Sequence, residues 1–121
     1  EKKLALKEAS TLMSHSTKFG QTMCVVDAVE GYDAPGLKEL ATAITINSGY
    51  VVVLSSITSP IDLVVARSDD ITLDASLLLR RLLSRFGGRG GGRSRLSQAG
   101  GLETDNSTLL RAAREMLGEF V

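Results

Sequence analysis

With one histidine and one cysteine among 121 residues, the sequence is short of the side chains that most metal-dependent and nucleophilic chemistry requires. A zinc site needs three or four ligands at set spacings, and a nucleophilic triad needs a base beside its nucleophile. Neither pattern is present. His15 stands near the end of a helical stretch with no second ligand or base close by, and reads as a surface residue. Cys24 lies among Met and Val with no basic neighbour, and reads as a small buried hydrophobe. A single cysteine cannot close an internal disulfide, which fits a reducing compartment. No metal, cofactor or catalytic residue is therefore expected in this chain. No apolar run approaches the length of a membrane span and no signal-peptide pattern opens the chain, so the expected setting is cytoplasmic, away from membranes.

Net charge is also lacking, since 14 basic residues offset 14 acids. The distribution is uneven, however. Between Asp74 and Glu103 there are six arginines (Arg80, Arg81, Arg85, Arg89, Arg93 and Arg95) and no acid. A basic patch on a neutral chain suits an electrostatic footprint aimed at one ligand. Aromatics are few (Phe19, Tyr32, Tyr50, Phe86, Phe120) and none falls in the glycine-rich stretch described next, so base stacking is not an evident part of recognition.

The most distinctive stretch is Gly-Gly-Arg-Gly-Gly-Gly-Arg-Ser-Arg-Leu-Ser-Gln-Ala-Gly-Gly over residues 87–101, which holds seven of the 12 glycines. Glycine lets main-chain N–H groups approach a ligand, and arginine adds planar forks suited to phosphate oxygens. A flexible linker or a sharp turn with solvated arginines would have the same composition. Well-patterned helices on both sides favour a phosphate-binding loop within a domain. It is not a Walker loop, because no Lys-Ser/Thr follows, nor a dinucleotide fingerprint, because the helix precedes the glycines.

Length and composition fit one domain over residues 1–121. Residues 1–18 read as a helix with Ala5, Ala9, Leu12 and Met13 on one stripe, and 21–29 as a strand. Asp33 caps a helix with Pro35 in its first turn and Leu37, Leu40, Ala41 and Ile44 as its apolar stripe. Residues 50–54 and 61–66 read as strands joined by a loop, and Asp69-Asp70 as a solvated turn. Asp74 caps a helix over 75–86, with Arg81 and Arg85 four apart on an exposed side and Arg80 beside them. Residues 96–99 read as a short strand, and Thr104 or Asp105 caps a last helix. The fold class expected is an α/β (α+β) sandwich: a small mixed sheet of about three to four strands packed with helices, and a glycine-rich loop before the last helix. The core predicted from these phases is Val25, Val26, Leu37, Leu40, Val52, Leu54, Val64, Leu79, Leu82, Leu83, Met116 and Leu117. The chain opens partway through a helical pattern, and is expected to be a piece of a longer protein.

The glycine-rich stretch resembles the signature of the C-terminal domain of alanyl-tRNA synthetases and free-standing alanyl-tRNA editing proteins, the DHH-associated domain. The resemblance extends to Tyr32-Asp-Ala-Pro-Gly-Leu-Lys-Glu-Leu, Val51-Val-Val-Leu-Ser-Ser, Leu63-Val-Val-Ala-Arg-Ser and the final helix. It implies an accessory domain that contacts tRNA (alanine-accepting) and supports dimerisation, with aminoacylation or deacylation done by other domains. By position in the motif, Arg89, Gly90, Gly91, Gly92, Arg93, Gln98, Gly100 and Gly101 would be the RNA-binding residues. Arg95 and the helix residues Arg81 and Arg85 join them on charge, as one positive face. Ser94 stands where the family often has proline, and Arg95 where it often has an acid. The DHH phosphoesterases carry a related domain with Gly-Gly-Gly-His that binds nucleotide substrate; here Arg93 follows the three glycines, which favours the tRNA group. A dimerisation module using the first helix is a third reading.

Overall fold

The computed structural model describes residues 2–57 and 60–120, with side chains from residue 7 onward. The described elements are α1 (Lys2–Ser14), β1 (Thr17–Phe19), β2 (Thr22–Val29), α2 (Ala34–Thr45), β3 (Tyr50–Ser56), β4 (Ile61–Arg67), α3 (Ala75–Phe86), β5 (Arg89–Gly92), β6 (Leu96–Leu102) and α4 (Asn106–Phe120). The six strands form one mixed sheet in the order β1-β2-β3-β4-β6-β5. Among the described strands only the β2–β3 pair is parallel, and α2 makes the crossover that a parallel pair needs.

Helices cover both faces. On one, Val25, Val52, Leu54, Val64 and Ala66 pack with Leu37, Leu40 and Ile44 of α2 and Ala9 and Leu12 of α1. On the other, Val26, Val51, Val53, Leu63 and Val65 pack with Leu78, Leu79 and Leu82 of α3 and Leu109, Met116 and Leu117 of α4. Alternate residues of β3 and β4 therefore feed two cores. That explains why both strands carry consecutive apolar residues, over 51–54 and 63–66, as strands buried on both sides do. Eleven of the twelve predicted core residues are buried, and Leu83 is half-buried against the α3–α4 core.

Side chains close the helix starts where the sequence places them. Asp33 Oδ1 accepts from the Gly36 amide at 2.9 Å, and Asp74 Oδ1 from the Ser76 amide at 3.0 Å and the Ser76 hydroxyl at 2.7 Å. Of the two residues considered for the last helix, Asp105 is the cap, accepting from the Thr108 amide at 2.7 Å. Hydrogen bonding to Ser76 and to Thr108 holds the Asp74 and Asp105 carboxyls below the usual range. Cys24 is buried in the α3–α4 core, and burial pushes its thiol up to about 11.

The structure corrects four expectations. The sheet has six strands rather than three to four. The first helix stops at Ser14, and residues 17–19 turn back on β2 as a short edge strand through Gly20 at φ +62°. The glycine-rich loop is itself largely a strand, β5, paired antiparallel with a β6 that runs to Leu102 rather than Ala99. Asp69 is not merely solvated: it pairs with Arg95 at 2.7 Å, while Asp70 accepts from Ser68 Oγ at 2.6 Å and the Gly49 amide at 3.0 Å. Ala5 and residues 58–59 of the β3–β4 loop lie outside the described side chains. No described helix is long and apolar enough to cross a membrane.

Candidate nucleic-acid interface

The β5–β6 hairpin closes one side of the sheet. Its register pairs Arg89 with Gly100, Gly90 with Ala99, Gly91 with Gln98 and Gly92 with Ser97. The glycines permit a very close approach of the two backbones. A Cβ at Gly90 would fall on the Gln98 carbonyl oxygen and the Ala99 Cα, and one at Gly92 would lie 2.6 Å from the Leu96 carbonyl oxygen. Gly91 has open space where its Cβ would be. The second glycine pair serves a different purpose. Between Ile61 and Leu63 the β4–β6 register slips by one residue, and Gly101 at φ +75° absorbs the slip as a bulge beside Gly100.

Ala99 and Leu102 pack into the α3–α4 core, whereas Leu96 packs into the α1–α2 core. By alternation Gln98, and Gly91 opposite it, face the α2 side. There an open groove of about 480 Å³ lies between the hairpin and α2, lined by Lys38, Thr42, Thr45, Arg67, Gly91, Gly92, Arg93, Arg95, Leu96 and Gln98. Four of these are cations and none is an acid. Lys38, Thr42 and Thr45 form a stripe along α2 that flanks its buried Leu37, Leu40 and Ile44.

Arg67 is held in place by its surroundings. Its Nε donates to the Leu73 carbonyl at 2.8 Å, Nη1 to the Ser68 carbonyl at 3.2 Å and Nη2 to Ser94 Oγ at 3.3 Å. Its amide donates to the Arg95 carbonyl at 2.9 Å, tying the end of β4 to the hairpin turn. The guanidinium reaches the groove with its orientation already fixed, so a bound anion would order little more.

Of the residues singled out from sequence, Gly91, Gly92, Arg93, Arg95 and Gln98 meet in this groove. Arg89 is exposed on β5 opposite Gly100, beyond the lining. Gly90, Gly100 and Gly101 shape the hairpin and bulge. Arg81 and Arg85 belong to α3, which packs on the other face of the sheet. Arg81 lies 3.8 Å from Glu119 and 5.4 Å from the centre of the Phe120 ring, and Arg85 lies over Phe86. The single positive face expected from charge is thus two surfaces separated by the sheet edge. Lys38, Thr42, Thr45 and Arg67 went unrecognised in the sequence. The polar stripe on α2 is legible there, but which strand faces it depends on the sheet order.

The DHHA1 domain profile matches residues 20–119. Alanine–tRNA ligases are similar in sequence. That of Saccharophagus degradans is 31% identical over 107 residues, and that of Thermosynechococcus vestitus 33% over 104. These matches take in 85% and 81% of this chain but 12% of each ligase, so the chain spans about an eighth of their length. In fold, the C-Ala domain from Aquifex aeolicus alanyl-tRNA synthetase superposes with a TM-score of 0.73 at 24% identity, covering 87% of this chain and 96% of that domain. A DHH domain described as a member of the s1p family of ribosomal proteins superposes at 0.67 with 15% identity, covering 98% of this chain and 31% of that one.

Proposed function

The chain belongs to the DHHA1 domain family, and from that premise we propose that it is a tRNA-binding accessory domain of an alanyl-tRNA synthetase or an alanyl-tRNA editing protein, without catalysis of its own. The observation that carries the proposal is the groove between α2 and the β5–β6 hairpin, with Lys38, Arg67, Arg93 and Arg95 on its walls and no carboxylate among its described lining residues. Phosphates are attracted to such a site and sequence-neutral contacts position them, while Gln98 supplies a donor and an acceptor for a base edge or a ribose hydroxyl. The tRNA expected is alanine-accepting, in the cytoplasm. The Asp69–Arg95 pair is exposed and exchangeable, so a phosphate can displace Asp69 at little cost.

Binding of tRNA across a salt series tests this. Each phosphate neutralised contributes a slope of roughly −0.7 to −0.9 in log K against log salt. Arg93→Ala should weaken binding and flatten the slope by about one contact's worth, whereas Arg111→Ala, at an exposed position of α4 outside the groove, should leave both unchanged. Equal losses for the two variants, or no binding at low salt, would refute the assignment.

The size of the groove favours one second reading. At about 480 Å³ it would also admit a single nucleotide, as expected of a nucleotide-substrate domain in a DHH-family phosphoesterase. Adenosine monophosphate saturating the groove, with tRNA unable to displace it, would select that reading.

A further inference from the structure

Beside the groove, β5 is the last strand of the described sheet, and the pairing register dictates what its outer edge presents. The Arg93 amide donates to the Leu96 carbonyl at 2.9 Å, which makes that pair a hydrogen-bonded one. Pair types alternate along an antiparallel ladder. Gly91–Gln98 is therefore hydrogen-bonded, while Gly90–Ala99 and Gly92–Ser97 are the close, non-bonded pairs. Their very short backbone approach agrees. The N–H groups of Gly90 and Gly92 are consequently directed away from β6. No described strand covers them, and no Cβ shields them. They repeat every second residue, about 6.7 Å apart, close to the spacing of successive phosphates along a nucleic-acid strand. Arg89 and Arg93 flank them.

Building on the RNA-binding reading, we infer that an unpaired RNA strand lies along the free edge of β5, with successive phosphates on the Gly90 and Gly92 amides and one nucleotide turned into the groove. A duplex keeps its bases stacked inside and would leave the recess beside Gln98, Thr42 and Thr45 empty. A second copy of this chain, pairing edge to edge, would bring the Arg89 and Arg93 guanidiniums of both copies together. An anionic strand is attracted to the same charges.

Amide hydrogen exchange followed by NMR on the isotopically labelled chain tests this at low salt. The probes are a uridine hexanucleotide, an RNA duplex with as many phosphates, and a hexaglutamate peptide. In the free chain the Gly90 and Gly92 amides should exchange fast, and those of Gly91 and Arg93 slowly. Saturation with the hexanucleotide should slow Gly90 and Gly92 at least about tenfold, as expected when an open amide gains a hydrogen bond. The duplex should not. Hexanucleotide binding that perturbs Lys38 and Arg93 but leaves Gly90 and Gly92 exchanging fast would overturn the inference and leave the RNA-binding reading standing. Equal protection by the duplex, or protection by the peptide alone, would also overturn it. Failure of every RNA to bind would remove the reading and the inference together.

Discussion

Replacing Gly90 with alanine is expected to lift β5 from β6 and abolish RNA binding through the hairpin, while alanine at Gly91 leaves the fold as it is. The two positions are neighbours, yet only one has room. The Gly90 Cβ would collide with the main chain of Gln98 and Ala99, which no rotamer change can relieve, whereas nothing lies within 4 Å of a Cβ at Gly91. Overpacking of this kind costs about 1–3 kcal/mol. Because β5 is an edge strand, the chain can escape part of that cost by releasing it, so the loss should appear as local opening more than as global unfolding. The Gly91 and Arg93 amides should lose their exchange protection, and the urea midpoint should fall modestly. Gly90→Ala with Gly91 still protected would contradict the close pairing described above.

The largest loss of stability is expected from Leu54→Ala, at about 2–5 kcal/mol. Leu54 is fully buried in β3, flanked by Asp27 of β2 and Val64 of β4, and packs in the core beneath α1 and α2. Strands on both sides keep this part of the sheet from collapsing into the cavity. Domains of this size have a total stability of about 5–15 kcal/mol, so the variant should be near the limit of folding at 37 °C. Leu83→Ala is the comparison, since Leu83 is half-buried at the margin of the other core and its loss should cost clearly less. Urea denaturation checks both, with the midpoint lowered and the slope unchanged. A Leu54→Ala midpoint equal to that of Leu83→Ala would mean the core is not centred on β3.

The parts of the fold legible in the sequence are those where local preference and burial agree. The bounds of α3 and its Asp74 cap follow from a side-chain oxygen ahead of a regular leucine stripe. The Val/Leu runs of β3 and β4 announce strands buried on both sides. β5 was not legible, because Arg-Gly-Gly-Gly has no strand propensity and pairs only through the close approach of β6. β1 was hidden for a similar reason: three residues are too few for alternation to be visible. The candidate site divides likewise. Arg93, Arg95 and Gln98 come together because a hairpin makes them local neighbours. Lys38 and Arg67 join them only through a sheet order that places β6 beside β4, and no short-range pattern encodes that order.

The buried thiol of Cys24 gives the molecule a reporter of its own. With ionisation pushed to about pH 11 and the sulfur covered, the folded chain presents no thiolate to an alkylating reagent at pH 8. Reagent should modify only those molecules in which β2 has parted from the helices over it. When reclosing is fast, the ratio of the alkylation rate to that of a free thiol equals the fraction of time spent open. Alkylation kinetics of the unmodified chain would therefore measure the breathing of β2, at the opposite side of the sheet from the arginine groove, without introducing a label. Repeating them with RNA bound would show whether occupying one side of the sheet stiffens the other.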